Sequence, residues 1–356
     1  MPEFIPFTHT DIASLVSPRT GEIKLGQCVH LANHEHTLET ILATAKAHGA
    51  SFAIIGVGED IGPRANLGRG GATDAFTTSM RQWLNLQSNR FLSGAECLVL
   101  GQVNTADLQQ QTTRNTTANS DVTLDELRDA VEQLDERVIR IVSAILKAGL
   151  EPILIGGGHN NAYGLLMATY GHYQRQVAAV NLDPHSDFRL LEGRHSGNGF
   201  SYAADRGALG CYHVLGLHEL KNSEANLSQL SEFGGTWYSL QQIWVRREIS
   251  LSQALLEIAA KLNDTGLPVG LELDVDAIAK MPSSASTAAG VPLLDAAHYV
   301  SYIARHCPCA YLHLAEAAPS CHEAGIEAGF RDVGQSLSEL IYAYVQARMQ
   351  FLAQLI

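Results

Sequence analysis

Basic residues are scarce in this chain: 24 Lys and Arg stand against 37 Asp and Glu over 356 residues, a formal net charge of −13. Nucleic acid and anionic membrane surfaces select for basic patches, so this balance argues against both as partners. Long apolar runs are also missing, and no stretch approaches the length of about 18 residues that marks a membrane-spanning helix. The opening residues MPEFIPFTHTD carry neither a basic region nor an apolar core of leader length, and the expectation is a cytoplasmic protein. Six cysteines are too few for a disulfide framework in a chain of this size. Cys28, Cys97 and Cys211 sit in or beside apolar segments, where a reduced buried thiol is expected, and the spacing of Cys307 and Cys309 matches no zinc module. A dinucleotide fingerprint is absent too, because no G-x-G-x-x-G follows the first strong strand.

What the chain does have is a recurrent alternation of short apolar strands and amphipathic helices. Strands are expected over 51–57, 97–103, 152–155, 177–182, 212–215, 236–239, 269–273 and 310–314. Helices are expected over 37–48, 74–86, 123–147, 161–170, 252–262 and 294–305, with a last one from 334. Thr123 with Glu126 reads as a capping box. Residues 58–76 read as a glycine-rich loop and the polar run 104–121 as a connecting loop. This pattern implies one α/β domain over residues 1–356, three-layered, with a mostly parallel sheet of about eight strands covered on both faces.

In such sheets, ligands bind beyond the carboxyl ends of the strands. The polar residues that carry chemistry fall at those ends: His159 after PILIGGG, Asp183, His185 and Asp187 in DPHSD after VAAVNL, Asp274 and Asp276 in LELDVD, and Glu316 after AYLHLA. Asp183, His185 and Asp187 alternate, so an extended backbone would turn all three to one face. Four carboxylates and two imidazoles at one edge would repel and desolvate one another unless cations held them. Four Asp charges balance two divalent cations, and a carboxylate-rich set with imidazole suits manganese better than zinc. Two such ions would activate a bridging water, which implies hydrolysis.

In order along the chain, GVGEDIGPRANLGRGGA, GGGH, DPHSD, SGNGFS, LELDVD and HLAEAAP resemble the arginase, agmatinase and formimidoylglutamase superfamily. The resemblance implies an arginase-like fold and two Mn2+ per subunit. His159, Asp183, Asp187 and Asp274 would hold one ion, and His185, Asp183, Asp274 and Asp276 the other, with Asp183 and Asp274 bridging. It further implies hydrolysis of a C–N bond in a small amidine or guanidine, with metal-bridging hydroxide as nucleophile and Glu316 pairing with the positively charged end of the substrate. A homo-oligomer is compatible with it. Several positions depart from the arginase and agmatinase pattern: Gly158 where GGDH has aspartate, Pro184 in place of alanine, Ala279-Lys280 in place of Asp-Pro, and Ser196-Gly197 where those enzymes carry His-Gly.

The serine-glycine form is closer to formimidoylglutamases, which points to N-formimidoyl-L-glutamate as substrate, with L-glutamate and formamide as products, a step of histidine degradation. Ser196 and its neighbour His195 become the residues for proton transfer. The two carboxylates of that substrate call for basic or polar partners, and Arg189 leads, with Arg69, Arg194 and Asn198 behind it. A guanidino hydrolase that releases urea, or a metal-binding member without activity, are the alternatives.

Overall fold

The computed structural model describes residues 3–113 and 122–354. Its strands are β1 (Phe4–Pro6), β2 (His30–Leu31), β3 (Phe52–Val57), β4 (Cys97–Val103), β5 (Glu151–Ile155), β6 (Val177–Leu182), β7 (Leu209–Leu217), β8 (Thr236–Ser239), β9 (Val269–Asp274) and β10 (Cys309–Ala315). They form one sheet in the order β1-β4-β3-β5-β10-β9-β6-β7-β8, with β2 beside β4. Every pairing is parallel except that of β1, which runs antiparallel to β4. The fold is thus α/β with a mostly parallel sheet, as the alternation implied, and it has ten strands among the described residues rather than about eight. The two extra strands, three and two residues long, are too short to show a period in sequence.

The central strands β3, β6, β9 and β10 are buried along their whole length. Alternate side chains feed two cores, since Phe52 and Ile54 join one apolar cluster while Ala53, Ile55 and Val57 join the other. The helix Leu124–Lys147 shows how a covering element is specified. Thr123 Oγ1 accepts from the Glu126 N–H at 3.2 Å and the Glu126 carboxylate accepts from the Thr123 N–H at 2.7 Å, closing the capping box. Its Leu127, Val131, Leu134, Val138, Ile141 and Ile145, three or four residues apart, are the buried stripe. On the opposite face lies the helix Ile326–Ala353, which begins eight residues before the expected 334.

Two loop expectations are corrected. Residues 58–76 contain the helix Ile61–Ala65 and a 3-10 turn at Ala72–Asp74, and the next helix is Ala75–Trp83 rather than 74–86. Residues 104–121 contain the helix Ala106–Gln111, and 114–121 lie outside the described residues.

His213 on β7 gives the fold a pH dependence. Its ring is buried, its Nδ1 lies 2.8 Å from Thr236 Oγ1, and Lys261 Nζ donates to that same hydroxyl. Burial, then the Lys261 charge, depresses the imidazole to about 3. The unfolded chain therefore takes up this proton first, so the stability contribution is complete above about pH 6.5 and drains away as pH falls toward 3. Between pH 6.5 and 5 the expected loss from this residue is about 2 kcal/mol at roughly 1.4 kcal/mol per pH unit. Denaturant unfolding of wild type and His213→Gln at both pH values should show a smaller pH-dependent loss in the variant; equal losses would refute the assignment.

Candidate metal centre

Strands β5, β10, β9 and β6 are adjacent in the sheet, although β10 follows β5 by more than 150 residues. Their carboxyl ends therefore set His159, Glu316, Asp274 and Asp183 side by side. Gly156 and Gly157, both at positive φ (84° and 66°), turn the chain sharply after β5. Beyond them the His159 N–H donates to Glu316 Oε1 at 2.9 Å, which ties the β5 and β10 ends together. Asp187 and Glu316 hold left-handed backbone, with φ of 45° and 66°. Non-glycine residues adopt it at a cost of about 1–3 kcal/mol, and such strain concentrates at functional sites.

His159 Nδ1 lies 2.9 Å from Asp187 Oδ2, 3.3 Å from Asp183 Oδ2 and 3.5 Å from Asp274 Oδ2. The ligating atoms of these four side chains converge on one point, and Asp183, His185 and Asp276 form a second such set. His185 Nδ1 is 3.3 Å from both Asp183 Oδ1 and Asp276 Oδ2. Asp183 is common to both sets and is completely buried. Asp274 falls in the first set only, and its Oδ1 accepts the Asp276 N–H at 2.8 Å.

The residues fit divalent cations on a specific observation. His159 Nδ1 is buried and makes no hydrogen bond among the described residues, although three carboxylate oxygens stand within ion-pair distance. The distances suit ion pairs and the directions do not. A lone pair directed with three carboxylates to one point is the arrangement of ligands around a cation. Electrostatics agrees: burial first, then the charges of Asp276 and Asp183, lifts the Asp274 carboxyl well above its usual range. Burial likewise raises Asp187, with Asp183 adding to it, and Glu316 is pushed up to about 8, chiefly by burial. The set remains ionised together only where positive charge is shared among it.

His185, Asp187, Asp274, Asp276 and Glu316 line a pocket of about 160 Å³, and the buried His159 and Asp183 do not reach it. Ser196, Arg189 and Glu316 reach it, whereas His195, Asn198, Arg69 and Arg194 do not line it. His195 caps a 3-10 turn instead: its Nδ1 accepts the Gly197 N–H at 3.1 Å, and burial depresses the ring to about 4. Asn198 is a backbone brace, donating to Gly193 O and Leu190 O and accepting from Arg194. Arg194 is buried in an ion pair with Asp135, 2.8 Å away. Arg69 is exposed and donates to the Ser284 carbonyl at 3.0 Å.

Sequence reasoning passed over several residues that the fold supplies. Lys221 and Asn222, from the loop after β7, and Asn66 and Ser284 also line the pocket. Asn66 Nδ2 donates to Ser196 Oγ at 3.3 Å, and Ser284 Oγ donates to Glu316 Oε2 at 3.2 Å. The other omission explains a departure from the motif. A Cβ on Gly158 would stand 2.3 Å from Pro63 Cδ, so position 158 has no room for a carboxylate. Glu59 brings one from another loop and accepts from Gly158 N at 2.7 Å and Asn161 Nδ2 at 3.0 Å. Glu59 also accepts the Gly62 N–H at 3.0 Å, but its partners at the GGGHNN turn are about 100 residues away and nothing in the local sequence announces them.

Comparison with known proteins gives a consistent result. The family model described as Arginase family matches residues 50–329. A formimidoylglutamase of Cupriavidus pinatubonensis is 28% identical over 290 residues, covering 77% of this chain and 80% of that protein. One from Chromobacterium violaceum is 29% identical over 204 residues, 56% of this chain and 58% of that protein, so this second alignment spans little more than half of either. Among solved structures, formiminoglutamase of Trypanosoma cruzi with Mn2+ superposes with a TM-score of 0.69 at 19% identity, covering 92% of this chain and 98% of that one. Formimidoylglutamase of Bacillus subtilis gives a TM-score of 0.71 at 16% identity, with 95% and 94% covered. Among the described residues no helix is long and apolar enough to cross a membrane.

Proposed function

The chain belongs to the arginase family, and from that premise we propose that it hydrolyses a C–N bond of a linear amidine, N-formimidoyl-L-glutamate, to L-glutamate and formamide. The observation that carries this reading is the polarity of one small pocket. Its lining holds four carboxylates, Asp187, Asp274, Asp276 and Glu316, together with the His185 ring. Its lining also includes Arg189 and Lys221, whose charged groups have no hydrogen bond or ion pair among the described residues. A molecule with an amidinium at one end and carboxylates at the other matches both. Agmatine, which carries a second cation and no carboxylate, would meet repulsion from Arg189 and Lys221.

His159, Asp183, Asp187 and Asp274 would hold one manganese, and Asp183, His185 and Asp276 the other, with Asp274 joining the second where its Oδ1 leaves the Asp276 N–H. Manganese, when bound there, supplies activation of water for attack on the amidine carbon. The remaining work falls to the protein. Glu316, oriented by the His159 N–H and the Ser284 hydroxyl, pairs with the amidinium. Ser196 Oγ accepts from Asn66 and keeps its own proton available for the departing amine. Arg189 binds carboxylate and fixes the substrate's direction. The names borne by the relatives support the same substrate.

Protein supplemented with manganese should release formamide from formimidoylglutamate and little or no urea from arginine or agmatine. Arg189→Ala should raise KM for formimidoylglutamate by roughly tenfold to a hundredfold, the value of one charge-assisted contact of about 1.5–3 kcal/mol. Urea from arginine with no formamide would overturn this reading, and no turnover of any of the three would favour a metal-binding protein without activity.

A further inference from the structure

A second buried cluster lies directly beneath His159. Glu272 on β9 is fully buried and stands in register opposite His313 on β10. Its Oε2 is 2.6 Å from His313 Nδ1 and 3.3 Å from His159 Nε2, and its Oε1 accepts from the Tyr311 hydroxyl at 2.7 Å. Three partners therefore meet one carboxylate that offers only acceptors.

The accounting fixes where the ring protons sit. Glu272 Oε2 lies within hydrogen-bond distance of both rings and accepts from both, so His159 carries its proton on Nε2 and His313 on Nδ1. The opposite nitrogens, His159 Nδ1 and His313 Nε2, are the two ring atoms that make no hydrogen bond among the described residues. Both Glu272 oxygens are already committed, so these residues form a support rather than a third ion site.

We infer that Glu272, braced by His313 and Tyr311, is the positioning residue that fixes the tautomer and orientation of His159, so that its Nδ1 lone pair faces Asp183, Asp187 and Asp274. This rests on the reading of His159 as a metal ligand. Histidines that bind metals are commonly oriented by a carboxylate on the far nitrogen, and losing that partner costs 10–100-fold in metal affinity. The two sets of the centre differ here. His185 is half-buried, and its ring makes no hydrogen bond to an outer carboxylate among the described residues. Glu272 should therefore act on one set only.

Glu272→Gln tests this with little change in volume. A carboxamide oxygen can still face both imidazoles but carries no charge, so it holds their N–H groups more weakly than the carboxylate does. Manganese titration by calorimetry and electron paramagnetic resonance should show a 10–100-fold weaker His159-containing set in the variant, with the His185-containing set within about threefold of wild type. His313→Leu, which leaves Glu272 in place without its brace, should shift the same set in the same direction by less, and decides the matter if the first variant does not fold. A purely structural role would lower the thermal midpoints of both variants and leave the affinities unchanged, which overturns the inference alone. Wild-type protein that takes up no manganese would overturn the metal reading and this inference with it.

Discussion

Asp183→Ala is expected to empty both halves of the centre at once. Asp183 is the one residue in both ligand sets, with Oδ2 near His159 and Oδ1 near His185. It also orders its surroundings, since Oδ1 accepts the His185 N–H at 2.6 Å and Oδ2 accepts from Asn181 Nδ2 at 3.0 Å. An alanine there removes a ligand from each ion and leaves the remaining carboxylates facing one another. Bound manganese should fall from close to two per chain to near zero in elemental analysis. Amidine hydrolysis should fall by well over the roughly 100-fold that loss of an outer partner costs. Asp276→Ala belongs to the second set alone and should keep one ion. Asp183→Ala protein with the wild-type metal content would sink the assignment of both sets.

The largest stability effect is expected at a residue that touches no ligand. Asp135 and Arg194 form an ion pair with both side chains nearly inaccessible, 4% and 2% exposed. Burial raises the Asp135 carboxyl to about 6 despite the attraction of Arg194, so desolvation outweighs the pairing. The pair is therefore not a large net source of stability, yet removing one member is costly. Asp135→Ala leaves Arg194 charged between the rings of Tyr163 and Tyr202, at 4.7 and 5.0 Å. The expected loss is about 3–5 kcal/mol, and the double replacement Asp135→Leu with Arg194→Met should recover much of it. Denaturant unfolding of wild type and the two variants measures this. A single variant within about 1 kcal/mol of wild type would refute the account.

Arg194 also donates to the Asn160 carbonyl at 2.9 Å, one residue from His159, and to Asn198. The arginine that sequence reasoning held in reserve for substrate is thus a strut behind the GGGHNN turn and the SGNGFS loop. Nothing local distinguishes it from Arg189, five residues earlier. What separates them is Asp135, on a helix almost 60 residues upstream, which captures one guanidinium and leaves the other at the pocket.

The sequence by itself determined the sheet and the set of acidic and imidazole side chains that cluster at its edge. Apolar strands that read as buried on both faces could only belong to a covered parallel sheet, and all eight expected strands are present. The alternation of Asp183, His185 and Asp187, and the two-residue step from Asp274 to Asp276, are local patterns whose geometry follows from the backbone. Two extra strands escaped notice because three or two residues carry no period.

The tertiary structure alone decided which side chains share the pocket. The insertion of β10 between β5 and β9 places Glu316 on the His159 N–H and sets Glu272 opposite His313. Strand and motif are properties of a few consecutive residues. Glu59 and Glu272 meet partners 39 to 113 residues away in the chain, and only the folded sheet supplies those neighbours.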